Sequence, residues 1–335
     1  MPHPPSLLPD TLLYGVFTYG EARDSGVGRA RLSKDDVVRA HHGLYVPRNS
    51  VPTNLIEQCE VLLPALGPHR WFSHATAARL WGMPLPSPVR DDESLHVLSL
   101  AGAQRLRRPG IYGWECGEES LDRRVVGLLP LIAPAEVWAQ LAVRGATEPG
   151  VTLTREWLVA VGEYLLAGPR RDGRRNPLCT REELQAVVSR QPGKRGARAL
   201  TWALERMRHP VDSPKETQLR LGLTAEGLPE PSVQVPVMTA EGLRHSDLGY
   251  PDARVLIEYQ GDEHRMSRTR WLADLRRVQL FEDSGYRVIL VGADDVDCAS
   301  DAAATAGFGP TPGPGLKSLA ARVRRALKGR PFGAV

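Results

Sequence analysis

The chain has 335 residues, 42% hydrophobic and 24% charged, with 43 Lys and Arg against 39 Asp and Glu and a net charge of +4. That is globular make-up at a length beyond one ordinary core, so two or three domains are expected. No stretch is apolar over the ~20 residues a membrane helix needs. Met1-Pro2-His3-Pro4-Pro5 lacks the basic start and apolar run of an export signal. A cytoplasmic protein without a membrane partner is therefore expected. Cys59, Cys116, Cys179 and Cys298 lie far apart with no metal-ligand spacing, which predicts reduced structural thiols rather than zinc. The basic balance, with a pI of about 9.0, is carried mostly by arginine, whose planar fork suits phosphate. Residues 170–208 hold 11 Lys or Arg against 4 Asp or Glu, and residues 316–330 hold 6 against none. On charge alone, either segment reads as a solvated linker or tail.

Residues 8–49 come first. Thr18 and Glu21 have the spacing of a capping box opening a short helix, and Gly26 and Gly28 break it. A second helix is expected from about Arg29 to Asp36. Val37–Ala40, a His41-His42-Gly43 turn and Leu44–Val46 predict a β-hairpin ended by Pro47. Two short helices and a hairpin are the order of a winged helix-turn-helix. Such a fold would place Arg29 and Arg31 on the helix that enters the major groove. A small α+β cap without a ligand fits the same pattern, and both readings stay open.

In residues 50–145, Leu55–Leu66 is apolar at helical spacing, and Ser73 to Gly82 has an N-cap and a C-terminal glycine. Pro84, Pro86 and Pro88 follow. Leu95–Ser99, Ile111–Trp114 and Leu128–Ile132 read as strands and Pro134–Ala142 as a helix with Pro near its first turn. His74 and His96 are isolated in sequence and read as structural. The stretch Gly43-Leu44-Tyr45-Val46-Pro47, the Ser73–Gly82 helix and Val126–Ala142 resemble abortive-infection (type IV toxin–antitoxin) antitoxin-like winged-helix proteins, over roughly residues 10–145. The resemblance implies DNA contact.

Residues 146–208 read as a basic helical linker region. It has a helix from Leu153 to Leu166, an arginine-rich loop from Gly168 to Pro177, a Thr180/Glu183 capping box and a helix from Ala197 to Met207. No catalytic constellation appears there. Arg170, Arg171, Arg174 and Arg175 are its candidate DNA-phosphate contacts.

Residues 209–298 carry the chemistry. Ser213-Pro214-Lys215-Glu216 has the cap, the first-turn proline and the N3 carboxylate of a helix start. Glu216 also shares a face with Leu219 and Leu223, which should pack on a sheet. It is thus a capping residue, a site carboxylate, or both. Arg244–Gly249 and Arg254–Gln260 predict two strands joined at Pro251-Asp252. Counting outward from that turn, Asp247 falls opposite Glu258 or one or two residues short of it. Paired carboxylates across a ladder repel, and a hard cation such as Mg²⁺ between them relieves that. Glu258 and Gln260 share a face, while Val255, Ile257 and Tyr259 take the other. Tyr286–Val291 reads as a buried strand.

Asp247 and Glu258-x-Gln260 on a hairpin, after a helix bearing Glu216, resemble the PD-(D/E)XK nuclease superfamily. Gly261-Asp262-Glu263-His264 and Asp274-Leu275-Arg276-Arg277 narrow the likeness to the DUF559 branch, related to very-short-patch-repair endonucleases, over about residues 210–297. The resemblance implies a restriction-endonuclease-like mixed sheet flanked by helices and Mg²⁺-dependent phosphodiester hydrolysis, with Mn²⁺ as a substitute. Carried across, Asp247, Glu258 and Glu216 bind the metal and His264 is an acid, a base or a phosphate ligand. Arg265, Arg268 and Arg270 face phosphate. Gln260 departs from the pattern: many members have lysine there, and an amide is neither a cation nor a base at neutral pH.

Residues 299–335 read as a flexible connection and a basic amphipathic helix from Leu316 to Leu327. The expected architecture is therefore α+β and multidomain, with an N-terminal winged helix-turn-helix, a middle α/β and helical region, and a C-terminal nuclease-like sheet. The expected function is a DNA endonuclease. The competing reading is a non-catalytic DNA-binding regulator, antitoxin-like, whose nuclease-like module has decayed.

Overall fold

A computed structural model of the chain describes residues 7–100, 102–117, 121–143, 153–261, 268–296 and 314–328. The chain is α+β and divides into two compact units, one formed by residues 1–81 and 92–137, the other by residues 82–91 and 138–335. No described helix is long and apolar enough to cross a membrane.

In the first unit, β1 (Phe17–Thr18) leads into α1 (Tyr19–Asp24), whose capping box closes in both directions. The Glu21 amide donates to Thr18 Oγ1 at 3.2 Å, and the Thr18 amide to the Glu21 carboxylate at 2.7 Å. After α2 (Arg29–Leu32), the chain forms the hairpin β2 (Val37–His41) and β3 (Leu44–Pro47). The small sheet has the order β1-β3-β2. Leu12, Phe17, Ala22, Val27, Leu32 and Val37 close its core. The second helix is a single turn, shorter than the Arg29–Asp36 span that the sequence suggests.

Beyond it, α3 (Leu55–Leu66) is capped by the Asn54 side chain. Then come β4 (Arg70–Phe72), α4 (His74–Leu80), β5 (Leu95–Leu100), β6 (Ile111–Cys116), β7 (Arg123–Val126) and β8 (Leu129–Ile132). They form a mixed sheet in the order β6-β5-β4-β8-β7. Every residue of β5 is buried.

His74 and His96, distant in sequence, are neighbours here, with ring centroids 6.1 Å apart. His74 stacks on Trp114 at 4.1 Å. The Trp114 indole N–H donates to His96 Nδ1 at 3.1 Å, so His96 carries its proton on Nε2, 3.3 Å from Asp92 Oδ2. Burial, aided by His96, holds the His74 imidazole well below its ordinary pKa. The unfolded chain therefore takes up a proton near pH 6.5 that the folded chain refuses. Stability is full above that pH and falls as pH drops below it, by at most about 1.4 kcal/mol per pH unit. Thermal scans from pH 7.5 to 5.5 should show the loss. His74→Asn, which tolerates the local φ of +48°, should flatten it, and an equal slope in both proteins would refute this role.

The second unit begins with α5 (Ser87–Arg90) and, after α6 (Pro134–Leu141) has crossed into it, continues with α7 (Arg155–Ala167). The arginine-rich stretch, read from sequence as a loop, is a hairpin of β9 (Arg170–Arg171) and β10 (Arg174–Arg175). Asp172 and Gly173 turn it with φ of +50° and +76°, the paired left-handed angles of a type I′ turn. Helices α8 (Arg181–Ser189), α9 (Ala197–Arg206) and α10 (Pro214–Ala225) follow. α7 meets the Met207 side chain at Gly162, where a Cβ would stand 1.9 Å from the methionine Cε, so any larger residue there would have to displace that side chain.

A buried ion network joins α7 to α10. Arg220 is fully buried and reaches Glu163 and Glu230 at 2.5 Å each. Thr217 donates to the other Glu163 oxygen, and the Arg208 amide donates to Glu163 at 2.7 Å.

Next comes a four-stranded mixed sheet of β11 (Ser232–Thr239), β12 (Gly242–Tyr250), β13 (Val255–Tyr259) and β14 (Arg287–Val291), in that order. The first three strands are antiparallel, and β14 runs parallel to β13. One face packs Leu248, Tyr250, Val255 and Ile257 against α10 through Leu219 and Leu223, and against α13 (Pro314–Lys328) through Leu319 and Val323. The apolar face of that basic tail helix is thus part of the core. The other face packs Leu256, Val235 and Val237 against Phe281 of α11 (Arg268–Asp283). α12 (Ala293–Val296) lies between β14 and the tail helix in sequence.

Candidate active site

Strands β12 and β13 are paired through Tyr250–Val255, Gly249–Leu256 and Leu248–Ile257. The next rung in register is Asp247 with Glu258, and there side chains replace the backbone. The Asp247 amide donates to Glu258 Oε1 at 3.2 Å, and the Tyr259 amide to Asp247 Oδ2 at 2.9 Å. Each acid is laced to the opposite strand by one oxygen. The other oxygen of each meets Arg277 of α11, whose Nε lies 2.9 Å from Glu258 Oε2 and whose Nη2 lies 3.7 Å from Asp247 Oδ1. Arg277 arrives there because Glu258 shares the face of Leu256, which packs on Phe281 one helical turn away. The Arg277 guanidinium lies 5.6 Å from the Phe281 ring centre.

Glu216 enters from α10 and is 5% exposed. Ser213 Oγ accepts from its amide at 3.3 Å, so half of the capping box forms. The Glu216 carboxylate turns elsewhere, accepting from the Asp212 amide and the Gln234 side-chain amide, both at 3.2 Å. Gln234 holds φ at +47° within β11. Val233 before it packs on one core and Val235 after it on the other, so the strand changes faces at this residue.

Glu216, Asp247, Glu258 and Gln260 line one cavity of about 310 Å³, with Asp212, Tyr259, Asp274 and Arg277. Its acids strain one another. Burial, then Glu258 and Glu216, push the Asp247 carboxyl up to about 8, against the pull of the Tyr259 amide and Arg277. Burial, helped by Glu258 and Glu163, lifts Glu216 to about 7, while Ser213 and Gln234 oppose it.

Such a set invites a cation. Among the described residues no group of three or more His, Cys, Asp or Glu is placed to hold a metal ion. An ion here would thus rest on two carboxylates and keep several waters, the habit of Mg²⁺. The donors, all hard oxygens under mutual repulsion, fit that ion. Asp247 and Glu258 would hold it, with Glu216 reached through water.

His264 and Arg265 lie outside the described residues. Arg268 and Arg270 fall in the first turn of α11, with their side chains beyond those described. Sequence reading missed Arg277 as a cavity residue and Gln234 as the side chain that holds Glu216. Arg277 stands in the Asp274–Arg277 stretch that carries the nuclease resemblance, but its i, i+3 spacing from Asp274 equally suits a pairing within the helix.

In the first unit, a separate basic cavity of about 370 Å³ is lined by Arg29, Lys34, Arg39 and Arg48. Arg29 lies over the Tyr19 ring at 5.1 Å. Arg31 is spent on a two-pronged pair with Asp36 at 2.6 and 2.8 Å.

No family model and no solved structure matches the chain. Two proteins of Mycobacterium tuberculosis, "Uncharacterized protein MT2308" and "Uncharacterized protein Rv2248", are each 26% identical to it over 261 residues, which span 78% of this chain and 87% of theirs.

Proposed function

We propose that the protein is a divalent-metal-dependent endonuclease that hydrolyses DNA phosphodiester bonds in the cavity of the second unit. In this reading residues 8–49 of the first unit are a DNA-docking winged helix-turn-helix. The observation that carries it is the side-chain rung of Asp247 and Glu258, a half-buried acid and a buried one held together in an open cavity against their own repulsion. Folded proteins keep such pairs where chemistry uses them. Bound Mg²⁺ or Mn²⁺ would supply an activated water and relief of negative charge on the phosphate. The chain's own residues do the rest. Gln260 orients water by hydrogen bonding. Arg277 supplies the fixed positive charge that the neutral Gln260 does not, and meets a phosphate oxygen once the acids have another cation. The basic cavity of Arg29, Lys34, Arg39 and Arg48 takes backbone phosphate away from the cut.

Purified protein incubated with supercoiled and linear DNA should nick and cut with Mg²⁺ or Mn²⁺ and do neither with chelator. Gln260→Lys should keep or raise the rate. A second reading, a non-catalytic DNA-binding regulator, is favoured by one observation: Arg277 already pairs with both acids. If wild type and Gln260→Lys are inert with every divalent metal, the endonuclease reading fails and the regulator replaces it.

A further inference from the structure

The β9–β10 hairpin sets Arg170 opposite Arg175 and Arg171 opposite Arg174. Directly opposed like charges weaken a ladder, and this one consists of nothing else. Successive rungs face opposite ways, so the four arginines divide into two pairs. Arg170 and Arg175 converge on Asp212. Arg170 Nη2 stands 3.4 Å from both carboxylate oxygens, and Arg175 Nη2 donates to Oδ1. Arg171 and Arg174 are exposed, and among the described residues no carboxylate pairs with either. Among the described residues, one aspartate thus answers two of the four guanidinium groups, and the other two face solvent.

Asp212 is also a wall of the acidic cavity, and its amide donates to Glu216. Asp212 therefore joins the hairpin to the cavity wall. Burial and then Arg170 lower the Arg175 pKa, and Glu216 opposes them, so Arg175 lies within electrostatic reach of a cavity acid. A strongly positive ribbon beside a cavity whose acids would hold a cation suits a ligand with anionic groups at intervals along a chain.

We propose that the β9–β10 hairpin clamps the phosphates of the DNA strand entering the cavity, and that Asp212 keeps the place of one phosphate until the strand arrives. Arg171 and Arg174 meet the strand first, and Arg170 and Arg175 then pass from Asp212 to a phosphate nearer the cut. The identity of the strand as a substrate rests on the endonuclease reading, but the clamp can be tested apart from it.

The test is fluorescence anisotropy of the full chain with a labelled duplex oligonucleotide in chelator, over a range of salt, beside plasmid cutting with Mg²⁺. Arg171→Ser with Arg174→Ser, exposed positions where folding is not at issue, should lower the slope of log affinity against log salt by about 2. Asp212→Asn should tighten binding at least about threefold, since an internal competitor is lost. The same change in an Arg170→Ala, Arg175→Ala background should tighten nothing. Inorganic phosphate at matched ionic strength should not displace the strand. An unchanged slope, binding by Asp212→Asn no tighter than wild type, or ready displacement by phosphate would each overturn the clamp. A wild type that binds as described and cuts nothing sinks the endonuclease reading and leaves the clamp standing.

Discussion

Asp247→Asn and Glu258→Gln are each expected to lower DNA cleavage by at least about a thousandfold, the scale on which preorganised charge at a reacting phosphate acts. Asp247→Asn should also melt at a higher temperature than wild type in metal-free buffer. Burial and the neighbouring acids hold Asp247 far above its ordinary pKa, so its ionised form opposes folding. An amide keeps the shape, and its oxygen still accepts from the Tyr259 amide. A unit of this size gains about 2–4 °C for each kcal/mol. Wild type should in turn be raised by Mg²⁺ and the variants much less, because an ion that binds only the folded form stabilises it. Plasmid nicking and paired thermal scans read both effects. If either variant cuts near the wild-type rate, Asp247 and Glu258 do not form the site.

The largest stability effect belongs to Arg220→Met, expected to cost about 3–5 kcal/mol. Methionine matches the arginine stem in bulk but leaves Glu163, 1% exposed, buried beside no cation. Burial already raises the Glu163 pKa, and Arg220 is the first influence opposing it. Glu230, a third exposed, keeps Arg208 at 2.8 Å and is only partly orphaned. Adding Glu163→Leu to Arg220→Met should recover most of the loss, as apolar replacements for buried pairs generally do. Urea unfolding measures both. A single-variant cost under about 1 kcal/mol would mean that water or a shift of α7 satisfies Glu163. The pair also bears on how the second unit can be cut. A fragment beginning at 209, where composition suggests a boundary, would carry Arg220 without Glu163.

What was legible in the sequence was local. The capping residues Thr18, Thr180 and Ser213 each start a helix. Counting outward from the Pro251-Asp252 turn set Asp247 opposite Glu258 or one or two residues short of it, and continuing the Leu248–Ile257 register by one residue puts them on the same rung. What was not legible was either disguised or long-range. β11 contains Pro236, which argues against a strand in its interior; it survives because β11 is the sheet edge. The Asp172-Gly173 hairpin signal was hidden by its four arginines, which read as a solvated loop. β7 is exposed throughout and has no apolar face to betray it. Glu163 and Arg220 lie 57 residues apart, and no spacing rule pairs a mid-helix glutamate with an arginine at that distance.

The rung of side chains between β12 and β13 makes the site its own reporter. The amide protons of Asp247 and Tyr259 are held by the carboxylates rather than by carbonyls. Their exchange with solvent deuterium should therefore follow the state of those two acids and not the global opening that governs Leu248 or Ile257. Any ligand that draws the carboxylates outward should loosen these two protons first. Two resonances in a nuclear magnetic resonance spectrum could then record occupancy of the cavity, with no substrate turned over and no label attached.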